Sequence, residues 1–232
     1  MGFRAMPADS SSFRLLVFDW DGTLMDSIGT IVACTRATLR ELELGDLPEE
    51  KIRGTIGLGL RETIETLSPG CDERLFGRIL EGYRQHWHST YRDMPLLFPG
   101  VERMLRDLAA EGYLLAVATG KSRRGLDYAL DQTGLGEVFH VTRTVDEAFS
   151  KPHPKMLLDV LDELGVAPRD AVMIGDTTYD LEMARNARTH AVGVCSGGHE
   201  REELLALEPL ACLDRVVDLG SWLVKRSAAV PT

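Results

Sequence analysis

Short runs in which nearly every residue is apolar constrain this chain most. They are Leu15-Leu16-Val17-Phe18, Leu114-Leu115-Ala116-Val117-Ala118-Thr119, Val138-Phe139-His140-Val141, Ala171-Val172-Met173-Ile174-Gly175 and Ala191-Val192-Gly193-Val194. A strand with one wet face alternates polar and apolar residues, so unbroken runs predict strands covered on both faces. From residue 97 onward these runs alternate with helical patterns, the signature of βαβ units. The expected fold is therefore α/β with a mainly parallel sheet.

Residues 26–96 interrupt that rhythm. Ile28, Ile31, Val32, Thr35, Leu39 and Leu42 recur at helical spacing, as do Leu75, Ile79, Leu80, Tyr83 and Trp87. No strong strand run separates them, which predicts a helical insertion. Pro95 and Pro99-Gly100 mark the return to the sheet, and Val101 opens another amphipathic helix. A chain of 232 residues suits an ordinary domain carrying an inserted one. The expected division is a flexible leader over 1–12, a sheet domain over 13–25 and 97–232, and the helical insertion over 26–96.

Composition narrows the partners. The leader ends Asp9-Ser10-Ser11-Ser12 and lacks the apolar core of a secretory signal. No apolar run approaches the roughly 18 residues of a membrane span, so a soluble protein with no membrane partner is expected. A net charge of −10 argues against a nucleic-acid partner, whose phosphates the surface would repel. Cys34, Cys71, Cys195 and Cys212 show no CxxC spacing, which fits reduced thiols in a cytoplasm.

The polar residues that follow the strands carry the chemistry. Asp19 and Asp21, in Phe18-Asp19-Trp20-Asp21-Gly22-Thr23-Leu24, emerge where the first strand ends. In an open α/β sheet that is where ligands bind. Two such close acids repel each other, and a divalent cation is the simplest way to keep both ionised. A calcium loop of the EF-hand type is excluded, because Thr23 and Thr30 stand where it needs a third oxygen ligand and a closing glutamate. Thr119-Gly120-Lys121 ends the second strand, where a hydroxyl and glycine-exposed amides could hold an anion; the ordinary alternative is a turn. In Ser150-Lys151-Pro152-His153-Pro154 the prolines stiffen the loop that presents Lys151, either to a phosphate or simply to solvent. Asp176 and Asp180, in Gly175-Asp176-Thr177-Thr178-Tyr179-Asp180, could complete an oxygen-ligand Mg2+ shell with Asp19. Alternatively Asp176 or Thr177 caps a helix and Asp180 is a surface acid.

In this order, the acid pair, hydroxyl, lysine and second acid pair resemble the four motifs of haloacid dehalogenase-like (HAD) superfamily phosphatases, nearest the phosphoglycolate phosphatase-like branch. The resemblance covers about residues 13–225. It implies a Rossmann-like three-layer core of five or six strands, with the helical insertion serving as a cap. Family chemistry then makes Asp19 the nucleophile that becomes an aspartyl phosphate. Asp21 would be general acid and base, its main-chain carbonyl helping to bind Mg2+. Thr119 and Lys151 would hold phosphoryl oxygens; Gly22, Thr23 and Gly120 would offer backbone amides. Asp176 would ligate Mg2+, with Asp180 supporting it. Many relatives carry Asn where this chain has Gly120, so a side-chain contact is missing there. The dehalogenase branch usually lacks the second acid, so Asp21 favours phosphate over halide substrates.

The cap should choose the substrate, a small phosphorylated metabolite. Gly54-Thr55-Ile56-Gly57-Leu58-Gly59-Leu60-Arg61 resembles the glycine-bearing cap loop that faces the core site, and Arg61 could pair with a substrate carboxylate or simply lie on the surface. His86, Trp87, His88 and Tyr91 suggest a cage, but the helical spacing of Tyr83 and Trp87 reads as packing. Lys51 sits among Glu49, Glu50 and Arg53, the setting of a solvated lysine rather than a Schiff-base former. The expected function is an Mg2+-dependent phosphatase acting on a phosphoglycolate-like phosphomonoester. A phosphosugar mutase and a non-catalytic metal- or phosphate-binding protein are the rivals, and substrate and oligomeric state stay open.

Overall fold

A computed structural model describes residues 13–90 and 97–228. The expected leader over 1–12, Tyr91 and Pro95 lie outside the described residues. In chain order, β1 (Leu15–Phe18) is followed by four helices: α1 (Ile28–Glu41), α2 (Glu49–Arg53), α3 (Leu60–Leu67) and α4 (Glu73–Thr90). Next come α5 (Val101–Ala110), β2 (Leu114–Thr119), α6 (Arg123–Thr133), β3 (Val141–Thr144), α7 (Lys155–Leu164) and β4 (Ala171–Gly175). The chain continues with α8 (Thr178–Asn186), β5 (His190–Val194), α9 (Arg201–Leu205), β6 (Cys212–Leu213) and α10 (Leu219–Ala228).

The six strands form one sheet in the order β3-β2-β1-β4-β5-β6, with every neighbouring pair parallel. The period of two along each strand separates the core into two layers. Leu16, Phe18, Leu115, Val117, Val172 and Ile174 join Leu105, Leu126 and Leu219 from α5, α6 and α10. Leu15, Val17, Ala116, Ala118, Ala171 and Met173 join Met156, Val160 and Met183 from α7 and α8. Burial on both faces is why the central strands read as continuous apolar runs.

Register places the polar residues. Phe18 is level with Val117 and with Ile174. The next row is therefore Asp19, Ala118 and Gly175, with Thr119 and Asp176 one step further. Pairing extends to Asp19, whose amide donates to the Ile174 carbonyl at 2.9 Å. Strand order reverses between β1 and β4, so these residues gather at a topological switch point.

One strand assignment needs correction, and one strand went unread. Val138-Phe139-His140-Val141 was expected to be a strand, but Gly136–Val138 forms a 3-10 turn and β3 begins only at Val141. Val138 and Phe139 are buried because the turn packs into the core, and their apolarity reflects that packing. The strand itself, Val141-Thr142-Arg143-Thr144, is a sheet edge and tolerates polar side chains. The two-residue edge strand β6 has too little pattern to be read from sequence.

Between the first strand and α5 the chain leaves the sheet and returns at one place. Met25 bridges Leu97, and the Phe98 amide donates to the Leu24 carbonyl at 3.1 Å. The described residues between these crossings contain four helices and no strand. Ile28, Val32, Ile52 and Ile56 close a small apolar cluster of their own. No helix among the described residues is long and apolar enough to cross a membrane, and the four cysteines are free thiols.

Candidate active site

Beneath the sheet edge lies a buried network of three carboxylates and one ammonium. Asp19, Lys151, Asp176 and Asp180 are all essentially inaccessible. Lys151 Nζ lies 2.7 Å from Asp19 Oδ1 and 2.6 Å from Asp180 Oδ1. The alternative of a solvated Lys151 is thereby removed: the loop turns the side chain inward, where only paired charge is tolerated. Asp180 stands three residues into the start of α8. Its Oδ2 accepts from the Thr177 amide at 3.1 Å and hydroxyl at 2.7 Å, completing a capping box. The capping alternative thus holds for Thr177, not Asp176, and Asp180 is no surface acid but the buried partner in that cap. Asp176 accepts from the Thr23 hydroxyl at 2.6 Å and from the Gly198 amide at 2.7 Å. A Cβ at Gly22 or Gly197 would fall 2.3 Å or 1.8 Å from Asp176 Oδ2, so both positions demand glycine. Gly22 also has a φ of +83°.

The charges in this network are out of balance. Burial pushes the Asp19 carboxyl up to about 7, opposed by Lys151 and reinforced by Asp180. Burial, then the Asp19 and Asp180 charges, holds Asp176 well above the ordinary carboxylate range. Burial alone would lower the Lys151 ammonium, yet Asp180 and Asp19 together raise it above the ordinary lysine value. One carboxylate oxygen each from Asp19, Asp176 and Asp180 lies within 4.8 Å of the others. No well-angled hydrogen bond reaches either Asp19 oxygen. Three carboxylates against one ammonium leave two negative charges and an all-oxygen donor set, which fits a hard divalent cation.

Above Asp19 the surroundings are open. A cavity of about 1150 Å³ is lined by Asp19, Asp21, Thr119, Gly120 and Lys121 on the sheet side and by α1 to α4 on the other. Asp21 accepts from Ser27 Oγ at 2.6 Å and from Lys121 Nζ at 2.8 and 2.9 Å, which fixes its carboxylate beside the cavity. Thr119 is buried at the end of β2, its hydroxyl accepting from the Lys121 amide at 3.2 Å. The Gly22 amide already donates to the Met25 carbonyl at 2.8 Å, so it is not free to meet a phosphate as expected from the resemblance. The Thr23 hydroxyl is likewise committed, to Asp176.

Gly120 has a distinct explanation. A Cβ there would lie 2.5 Å from the Leu58 carbonyl oxygen and 2.6 Å from that of Gly57. The 54–60 loop is thus seated directly on Gly120. The same loop is tied to the sheet domain by Gly59 N to Ser150 Oγ at 2.8 Å and by Tyr179 Oη to the Gly54 carbonyl at 2.7 Å.

Arg61 lies at the cavity but is half exposed, paired with both oxygens of Glu73 at 2.8 and 3.1 Å and set over the Phe76 ring at 4.2 Å. His86 meets Glu41 at 2.9 Å, away from any cage. Trp87 packs against the core as expected, yet it also lines the cavity with Tyr83 and His88. Lys51 is exposed on α2 and does not line the cavity. Sequence reading missed Ser27, Gly197, Gly198 and the Lys121 side chain. The signal available was the Ser196-Gly197-Gly198 run after β5, which occupies the same edge of the sheet.

Comparison with known proteins agrees with this geometry. The family model described as haloacid dehalogenase-like hydrolase matches residues 16–194. A relative named "Probable phosphatase IndB" from Dickeya dadantii is 36% identical over 222 residues, covering 93% of this chain and 96% of that one. A phosphoglycolate phosphatase from Psychrobacter arcticus is 29% identical over 221 residues, covering 91% and 96%. The crystal structure of a hydrolase from Pseudomonas syringae superposes with a TM-score of 0.82 at 25% identity, covering 91% of this chain and 98% of that one.

Proposed function

This chain belongs to the haloacid dehalogenase-like hydrolases, and from that premise we propose that it is an Mg2+-dependent phosphatase of a small, phosphoglycolate-like phosphomonoester. The observation that carries the proposal is the position of Asp19. It lines the open cavity and also belongs to the buried carboxylate cluster, with Lys151 at 2.7 Å behind it. We read residues 13–25 and 97–232 as the core and 26–96 as the cap. The free thiols and the acidic surface support a cytoplasmic setting without a nucleic-acid partner.

An oxygen of Asp19 attacks phosphorus as the bond from phosphorus to the leaving oxygen breaks. Asp21, held by Ser27 and Lys121, gives the proton that the departing alcohol needs. Asp21 then takes a proton from water, which attacks the aspartyl phosphate, releasing inorganic phosphate and restoring Asp19. Thr119 and Lys151 hold phosphoryl oxygens, with backbone amides of Thr23 and Gly120 beside them. Phosphoryl transfer asks mainly for such positioning and charge neutralisation. Asp19, the Asp21 main-chain carbonyl and Asp176 would hold Mg2+, with Asp180 supporting through Lys151 and α8. When bound, the ion neutralises phosphoryl charge that the carboxylates would otherwise repel.

The test separates the two aspartates. Asp19→Asn should give neither phosphate release nor phosphoenzyme. Asp21→Asn should slow turnover about 10²- to 10⁴-fold, and with p-nitrophenyl phosphate labelled phosphate should accumulate on Asp19. Identical behaviour of the two variants, without a trapped intermediate under rapid quench, would refute the assignment. An isomerised product without free phosphate would instead identify a mutase.

A further inference from the structure

The cavity is large for a two-carbon leaving group, and its walls have a definite character. About 1150 Å³ lies above Asp19, whereas pockets for drug-sized ligands run to roughly 300–1,000 Å³. Phe76, Tyr83 and Trp87 line it from α4, and Tyr128 lines it from α6. The cation expected to meet a substrate carboxylate, Arg61, is engaged by Glu73 on both carboxylate oxygens.

The aromatic wall adjoins Asp21, the acid proposed to serve the leaving group. Asp21 is held by Lys121 at 2.8 Å, and the same ammonium lies 5.3 Å from the centre of the Trp87 ring. Tyr83 stacks on Trp87, with ring centres 6.2 Å apart and planes inclined by 29°. Burial first, and then the Asp21 charge, keeps the Tyr83 phenol protonated well beyond its ordinary range. Across the cavity Tyr128 meets His88 edge-on at 6.3 Å, joining α6 to α4. Large flat rings in that wall reward a flat apolar group through area and stacking, and they offer a small anion no compensation for lost water.

We infer that the preferred substrates of this site are phosphomonoesters whose alcohol carries a planar aromatic ring, seated against Trp87 and Tyr83. The inference rests on the phosphatase reading and narrows it. A ring borne by a nucleoside and a simple aryl group share this chemistry. Arg84 and Arg124 also line the cavity. A second phosphate on the substrate is therefore the competing outcome.

Phosphate release by the full chain with Mg2+ decides between them. Adenosine 5′-monophosphate and ribose 5-phosphate share the esterified carbon and differ by the base. Benzyl phosphate and phosphoglycolate differ by an apolar ring against a carboxylate, and fructose 1,6-bisphosphate supplies the second phosphate. The expected result is a kcat/KM at least tenfold higher for adenosine 5′-monophosphate than for ribose 5-phosphate, mostly through KM. That ratio should fall towards one in Trp87→Leu and be largely kept in Trp87→Phe. Benzyl phosphate above phosphoglycolate as well would mean that any flat ring is read; adenosine 5′-monophosphate alone would mean a nucleoside is. Equal or better turnover of ribose 5-phosphate, or first rank for phosphoglycolate or the bisphosphate, overturns the inference. No release from any of the five overturns the phosphatase reading itself. Should Trp87→Leu fail to fold, the wild-type ratios still decide.

Discussion

Lys151 does two jobs with one charge, pairing with Asp19, the proposed nucleophile, and with the Asp180 that caps α8. Removing a single member of a buried ionic set leaves charge without compensation, so Lys151→Met should cost about 3–5 kcal/mol in urea unfolding. A loss near zero would mean that the carboxylates take up protons in its place. The proton itself makes a second prediction. Asp19 is held up to about 7 when folded, against 3.8 as its ordinary value, by burial above all. A raised carboxyl means that the folded state binds the extra proton. The resulting stability is fully present below about 3.8 and is lost as pH rises through about 7. In chelator, wild-type Tm should therefore fall relative to Asp19→Asn between those values, and parallel curves would refute it. Sequence alone brought Asp19, Asp21, Thr119, Lys151, Asp176 and Asp180 to one sheet edge, because each follows an apolar strand or opens a helix. The commitment of the Gly22 amide to Met25 was beyond it, since a turn's internal hydrogen bonds leave no compositional trace.

At the scale of elements, the loop between α2 and α3 and the end of β2 are fitted to one another. Carbonyl oxygens of Gly57 and Leu58 occupy the space where a Cβ at position 120 would stand, at 2.6 and 2.5 Å. Backbone cannot rotate out of the way as a side chain can, so Gly120→Asn must lift the loop. It would then break the contacts from Gly59 to Ser150 and from Tyr179 to Gly54. Hydrogen exchange over 54–60 should speed up, and turnover should fall by up to about 10²-fold as the cavity wall shifts. Unchanged exchange would show that the loop accommodates the side chain. The helical insertion itself was legible, because α1 and α4 repeat apolar residues at helical spacing. Its seat on Gly120 was not: that contact joins residues far apart in sequence and depends on backbone atoms alone. The strand read at Val138 was misplaced for a related reason, since an apolar turn packed into the core has the composition of a strand.

For the whole molecule, the proposed metal binding and folding would be one linked equilibrium. The chain carries a net charge of −10, and its buried site concentrates three carboxylates against one ammonium. A cation that binds only this folded arrangement stabilises the protein by about 2.7 kcal/mol at a hundredfold excess over Kd. Mg2+ should therefore raise Tm, and it should support turnover better than Ca2+, whose larger and looser shell misplaces the attacking carboxylate. The two supporting acids should respond differently. Asp180 Oδ2 already accepts two hydrogen bonds from Thr177 and its Oδ1 faces Lys151, so little of its oxygen is left for an ion. Asp176 accepts one bond on each oxygen, from Thr23 and Gly198, which leaves a lone pair on each. Asp176→Ala should therefore abolish the rise in Tm with Mg2+ while leaving α8 capped. Asp180→Ala should lower Tm without metal, through the lost cap and the half-paired Lys151, yet keep most of the Mg2+ response. The opposite pattern, with the response surviving in Asp176→Ala and lost in Asp180→Ala, would exchange the two roles.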